Sequence, residues 1–272
     1  PGSVKPTEAA APTSLPYASE FVDGQRARVQ HLTDFASRGS AELRWKDEQG
    51  SHFEQAQIEL AWRDGGGRMA LRADKLGERL AWAGADATRW WIFEPKAEPS
   101  RLTFGPRGTV PSGSMLPFIG PESVMELLAA RPWPASARVE RGPGSGAVLT
   151  WNTERPVGLW TRTRAFIERP GAMPLRIELL DHTGAVLASS ELSRALAVRI
   201  DSLPTGAWPE IAGTVRLRMA GESGATWDVF WDAPGVEPSR LNDRLFDLSV
   251  LKDVMRPQRE IDAAAESGSR TP

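Results

Sequence analysis

The feature that most constrains this chain is a period-two alternation of apolar and polar residues, repeated in short segments. Ala41, Leu43 and Trp45 alternate with Glu42, Arg44 and Lys46. Ala56, Ile58, Leu60 and Trp62 alternate with Gln55, Gln57 and Glu59, and Met69, Leu71 and Ala73 with Arg68, Arg72 and Asp74. Leu80 and Trp82 continue that pattern. It resumes after residue 147 with Leu149 and Trp151, then Thr163, Ala165 and Ile167, then Leu175, Ile177 and Leu179. Val215, Leu217 and Met219 follow, and then Trp227, Val229 and Trp231. Successive strand side chains point to opposite faces, so this pattern predicts antiparallel strands with one face buried. Residues 89–94 (RWWIFE) are apolar on both faces. The separators at 47–50, 64–67, 83–88 and 181–184 are rich in turn-forming residues and too short for crossover helices. A meander of roughly ten to twelve strands is expected, not a βαβ fold.

Two segments carry helical spacing instead. In 18–37, Phe21, Val22, Val29, Leu32, Phe35 and Ala36 recur at helical spacing, and Gly39 follows as a stop. Gly120-Pro121-Glu122 opens a second, shorter helix through Ala130, with Val124, Leu127 and Leu128 as its stripe. Between strand and helix, residues 95–120 are broken by prolines and glycines and read as loop. No linker with folding units on both sides appears near the centre. The expectation is a leader over 1–17, a single mainly β (α+β) domain over 18–261 and a tail over 262–272. Both ends are rich in Ala, Ser, Thr and Pro.

Composition narrows function by exclusion. A formal charge of −2 lacks the basic excess of a nucleic-acid protein. The absence of cysteine removes disulfides, thiol catalysis and cysteine-ligated metal. No apolar run is long enough to span a membrane as a helix. The three histidines, His31, His52 and His182, have no ligand spacing, and no nucleophile elbow, P-loop or dinucleotide fingerprint occurs. No enzyme, cofactor or metal is expected. The weakest alternative is a hydrolase built on two carboxylates that meet in space. The chain has 11 Trp and only 1 Tyr. Indole without phenol suggests dry apolar surface, either packed core or the wall of a binding space.

Residues 86–95 (DATRWWIFEP) resemble a strand of the outer-membrane lipoprotein carrier family, the LolA/LolB-like proteins. Its pattern there is approximately S-D-G-x-x-L-W-x-Y-x-P. Asp86, Trp91, Phe93 and Pro95 match; Ala87 replaces the glycine and Trp90 stands where Leu is usual. The order of elements over roughly 18–256 is also similar. The resemblance implies a strongly curved antiparallel sheet, an incomplete barrel whose concave face is covered by the N-terminal and central helices. It implies a bacterial envelope location, periplasmic or anchored through a removed N-terminal lipoprotein signal. The implied partner is a lipid or an acylated protein held between sheet and helices, with the chain favoured as a monomer.

Candidate cavity residues follow from the alternation and the two helices. They are Leu60, Trp62, Leu71, Leu80, Trp82, Trp90, Ile92 and Leu127, with Met115, Leu116 and Phe118 in the Gly/Pro-bounded segment before the second helix. The same residues also suit a filled core, and 114–119 suits a fixed plug as well as a mobile gate. Trp91 and Phe93 lie on the opposite face and require a second cover. Arg162/Arg164 and Arg216/Arg218 suit a solvated sheet face or, alternatively, a phosphate headgroup. The leading function is non-enzymatic binding of an apolar ligand; the alternative is an envelope protein-interaction or sensor module with a filled core. An interior cavity of a few hundred Å³ favours the first, and its absence the second.

Overall fold

The computed structural model describes residues 17–47, 50–109, 121–143, 146–220 and 224–264. The strands are β1 (Phe35–Asp47), β2 (Gly50–Arg63), β3 (Arg68–Lys75), β4 (Glu78–Ala85), β5 (Arg89–Glu94), β6 (Arg101–Pro106) and β7 (Arg138–Arg141). They continue as β8 (Ala147–Val157), β9 (Trp160–Ile167), β10 (Arg176–Leu180), β11 (Val186–Ala197), β12 (Glu210–Met219), β13 (Thr226–Gly235) and β14 (Arg259–Asp262). Three helices accompany them: α1 (Ala18–Val29), α2 (Pro121–Leu127) and α3 (Leu248–Met255).

All these strands join one 14-stranded sheet in the order β14-β6-β5-β4-β3-β2-β1-β13-β12-β11-β10-β9-β8-β7. Every pairing is antiparallel except β14 with β6, which is parallel. The sheet is open, with β14 and β7 as its edges. Two runs of hairpins, one descending from β1 and one rising from β7, meet where β13 pairs with β1. At that junction Gly39 sits opposite Trp231, and a Cβ on it would come within 2.0 Å of the Phe230 carbonyl oxygen. The glycine expected to stop a helix is therefore needed for close approach of two central strands.

The register separates two faces. On the first, Phe35, Trp62, Met69, Ala85 and Trp90 stand in one row across β1 to β5, and Leu60, Leu71, Ala83 and Ile92 in the next. This face carries the main core, to which α1 contributes Phe21, Val22 and Val29 and α2 contributes Met125 and Leu127. On the second face the rows are Ala36, Ala61, Ala70, Gly84, Trp91 and Arg38, Glu59, Arg72, Trp82, Phe93, Leu102. The small residues of the first of these rows make room. Phe246 and Leu241 from the C-terminal segment pack on the three alanines. A Cβ at Gly84 would lie 2.6 Å from the Trp91 ring.

The second cover that Trp91 and Phe93 require is α3, whose Leu248 and Leu251 pack with Trp82, Trp91, Phe93 and Leu102. Burying each such side chain contributes about 1.5–3 kcal/mol. The helix starts at Asp247, whose Oδ1 accepts from the Ser249 and Val250 amides at 2.8 and 3.3 Å. It stops at Arg256 in the left-handed region.

Several expectations are corrected. The first helix ends at Val29, and Phe35 and Ala36 belong to β1. Both periods accept those two residues, and pairing with β2 and β13 decides. The strand count is 14 because β6 lies inside the stretch read as loop, and the four-residue strands β7 and β14 are too short to show alternation. One long strand, β11, runs over Val186–Ala197. Trp82 does not share a face with Trp62 and Trp90. The register shifts between Ala73 and Asp74, leaving Leu80 as the extra residue of a bulge. Leu80 packs on the main core while Trp82 points the other way.

Candidate functional site

The middle of the first face is lined by small and branched residues. Ala41 on β1, Ile58 and Leu60 on β2, and Leu71 on β3 meet Val215 and Leu217 on β12 and Trp227, Val229 and Trp231 on β13. Across from them α2 presents Val124 and Leu127, followed by Leu128. Every residue lining this seam is apolar. The cavity it encloses is about 40 Å³, room for little more than a water molecule and far short of an acyl chain. Alternation alone produces this surface: the inward positions of five strands carry no charge.

The helix over the seam is fastened at its C-terminal end. The last carbonyls of a helix have no partner inside it. Just beyond its end the buried Gln25 side chain donates to the carbonyls of Ala129 at 2.9 Å and Arg131 at 2.7 Å. Arg28 also donates to the Ala129 carbonyl, and at 2.7 Å to that of Glu210. Burial lowers the Arg28 guanidinium to about 10, with Glu210 pulling in the opposite direction. Ser190 donates its hydroxyl to the Leu127 carbonyl at 2.6 Å. The α1 side chains and β11 thus grip one end of α2. Ala129 closes the helix in the left-handed conformation, at φ 50°.

One titratable group of α2 enters the interior. Glu126 is partly covered as a residue, yet burial raises its carboxyl to about 7. Arg131 and a hydrogen bond from Thr163 act in the opposite direction. Thr163 also accepts from the Trp160 indole at 3.2 Å, so a short polar chain runs from β9 to α2. Other indoles stay dry. The N–H groups of Trp62 and Trp231 on this face, and of Trp82 and Trp91 on the other, are buried with no partner.

Of the cavity candidates, the structure brings Leu60, Leu71 and Leu127 together on the seam. Trp62 and Leu80 belong to the same core beyond the seam. Trp90 and Ile92 form a neighbouring cluster with Ala85 and Ala263. Trp82 is on the opposite face. Met115, Leu116 and Phe118 lie outside the described residues. Sequence reading missed the share of β12 and β13. Val215, Leu217, Trp227, Val229 and Trp231 show the same alternation but stand at least 140 residues from β3. Only the β1–β13 pairing reveals that they face the same space. Of the arginine pairs, Arg164 meets Glu178, Arg216 meets Asp228 at 2.5 Å and Arg218 meets Glu191 at 3.2 Å.

No protein-family model matches the sequence, and no curated protein sequence matches it. Solved structures do. A putative outer membrane lipoprotein-sorting protein domain from Vibrio parahaemolyticus superposes with a TM-score of 0.56 at 14% identity, covering 84% of this chain and 97% of that one. A LolA superfamily protein from Nitrosomonas europaea gives 0.53 at 12% identity, covering 87% and 99%. The chain has a LolA-like fold. A DUF1329 family protein from Desulfovibrio piger shares it, with a TM-score of 0.56 at 12% identity over 87% of this chain and 100% of that one. At these identities the likeness concerns architecture. Trp91 and Phe93 lie on β5, and in the turn before it Asp86 accepts from the amides of Thr88 and Arg89 at 2.7 and 2.8 Å.

Proposed function

We propose that this chain is a non-enzymatic binding protein of the bacterial envelope that takes an apolar group into the seam beneath α2. The group is a lipid or the acyl chain of a lipoprotein. The observation that carries this reading is the uninterrupted apolar lining of the seam, drawn from five strands and one helix. The sheet is open and not strongly curled, in place of the incomplete barrel expected, and α1 and α2 cover its first face. Removing an acyl chain from water is favourable by about 25 cal/mol per Å² and requires no covalent chemistry. In the described state the seam is closed. Uptake therefore requires α2 to swing about the end held by Gln25, Arg28 and Ser190. The LolA-like fold supports the reading, as does the likeness to the putative lipoprotein-sorting domain from Vibrio parahaemolyticus.

The test is native mass spectrometry of protein taken from its own membrane fraction, followed by titration of delipidated protein with a fatty acid and a diacylated peptide. Bound acyl species and saturable uptake are expected. Ala41→Leu, which fills the seam from its floor, should abolish uptake while preserving a cooperative melt. Absence of both co-purifying lipid and uptake overturns the proposal. One observation favours a second reading: the cavity is only about 40 Å³. A core that stays filled makes the chain a protein-interaction module, and the same titration separates the two.

A further inference from the structure

The second face of the sheet carries a groove unrelated to the seam. It is open, with a volume of about 640 Å³, within the ~300–1,000 Å³ range of small-ligand sites. Its floor is the cross-strand row Arg38, Glu59, Arg72 and Trp82, one residue from each of β1 to β4. Its rim comes from the C-terminal segment, which brings Arg240 and Arg244, and its far wall is Leu245, Val250 and Val254.

Charge in the groove is unbalanced. Four guanidiniums line it against the carboxylates of Glu59 and Glu237. Glu59 is shared, touching Arg72 and lying 3.5 Å from Arg38. Arg240 takes Glu237 at 2.8 Å. The Arg244 guanidinium has no partner among the described residues. Arg72 is further crowded. Burial lowers its pKa, and the neighbouring guanidiniums of Arg79 and Arg38 add to the effect, with Asp74 opposing. Arg72 and Arg79 both stack on the Trp82 ring, at 5.9 and 5.2 Å from its centroid. Asp74 is engaged with Arg79.

We propose that this groove binds a phosphate-bearing amphiphile, its phosphate held among Arg38, Arg72 and Arg244 and its short apolar body against Leu245, Val250 and Val254. A phosphate monoester carries about −1.5 to −2 charges, which matches the surplus of two guanidiniums. Guanidinium groups offer forked donors suited to its oxygens. The apolar wall explains why a headgroup joined to an acyl body fits better than a bare anion. Val254 is 59% exposed and gains cover from such a ligand.

The experiment is calorimetric titration at low ionic strength with three soluble probes: dihexanoylphosphatidic acid, dihexanoylphosphatidylcholine and glycerol 3-phosphate. Dihexanoylphosphatidic acid should bind, more weakly as salt rises. The choline lipid should not bind, and glycerol 3-phosphate should bind at least tenfold more weakly. Arg38→Gln with Arg244→Gln, two exposed changes, should weaken dihexanoylphosphatidic acid at least tenfold without moving the melt. Ala41→Leu, which closes the seam of the other face, should leave it unchanged. Equal binding of the two lipids, or an unaffected double variant, overturns the groove as a phosphate site. Glycerol 3-phosphate binding as tightly as the lipid overturns the role of the apolar wall. Loss of binding in Ala41→Leu assigns the lipid to the seam and also overturns the proposal.

Discussion

Replacing Glu126 by Gln should make the protein more stable at neutral and alkaline pH. The carboxyl is raised from 4.5 to about 7 in the folded chain, chiefly by burial. Between those values the folded state holds a proton that the unfolded state has lost. Stability therefore falls as pH rises through this window and levels off above about 7. A shift of about 2.5 units corresponds to ~3.4 kcal/mol at most. The partial exposure of the residue brings the expectation to about 2–3 kcal/mol. Gln keeps an oxygen for the Thr163 hydroxyl and carries no charge to desolvate. Urea denaturation followed by tryptophan fluorescence, from pH 4.5 to 8.5, is the assay. The parent should lose stability between pH 5 and 7.5 relative to Glu126→Gln, with the two curves nearly meeting at pH 4.5. A variant less stable than the parent at pH 8, or one that retains the same pH dependence, refutes the argument. The first result means that attraction to Arg131 outweighs desolvation, and the second that the carboxyl titrates alike in the folded and unfolded chain.

The C-terminal cover yields further predictions. Leu251→Ala removes a fully buried side chain from the cluster around Trp91 and should cost about 2–5 kcal/mol in urea denaturation. A loss below about 1 kcal/mol means that α3 does not stay docked. Gly84→Ala places a methyl 2.6 Å from the Trp91 ring and should cost about 1–3 kcal/mol. In a double-mutant cycle with Trp91→Leu most of that cost should vanish, whereas additive losses disprove the contact. Asp247→Ala removes the cap of α3 and should destabilise by about 1 kcal/mol, with Asp247→Ser restoring most of it. Equal loss in both variants removes the capping explanation.

Much of the candidate seam was legible in advance because a strand's facing is a local property. Leu60 and Leu71 declare their side by alternation, and Leu127 declares its own by helical spacing. Trp82 was misplaced for an equally physical reason. A bulge inserts one residue without disturbing composition or hydropathy, yet it reverses every side chain beyond it. The bulge at Leu80 is set by the pairing of Asp74 with Arg79 and Lys75 with Glu78, which alternation does not encode. The α3 helix spans eight residues, too few for its Leu248, Leu251 and Met255 spacing to stand out from the loops around it.

The sequence by itself determined that the chain builds a hairpin-linked antiparallel sheet with one dry face, and that Trp91 and Phe93 need cover on the other. These follow from period, turn chemistry and the cost of exposing indole, all expressed within ten or so residues. Tertiary structure decided what lies opposite what. It brought β13 beside β1, and so Trp227 and Trp231 to Leu60 and Leu71. It chose the C-terminal segment as the second cover, which aligned Arg240 and Arg244 with Arg38 and Arg72 into one groove. Register and docking depend on contacts between residues far apart in the chain. The energies of those contacts exist only once the partners have met.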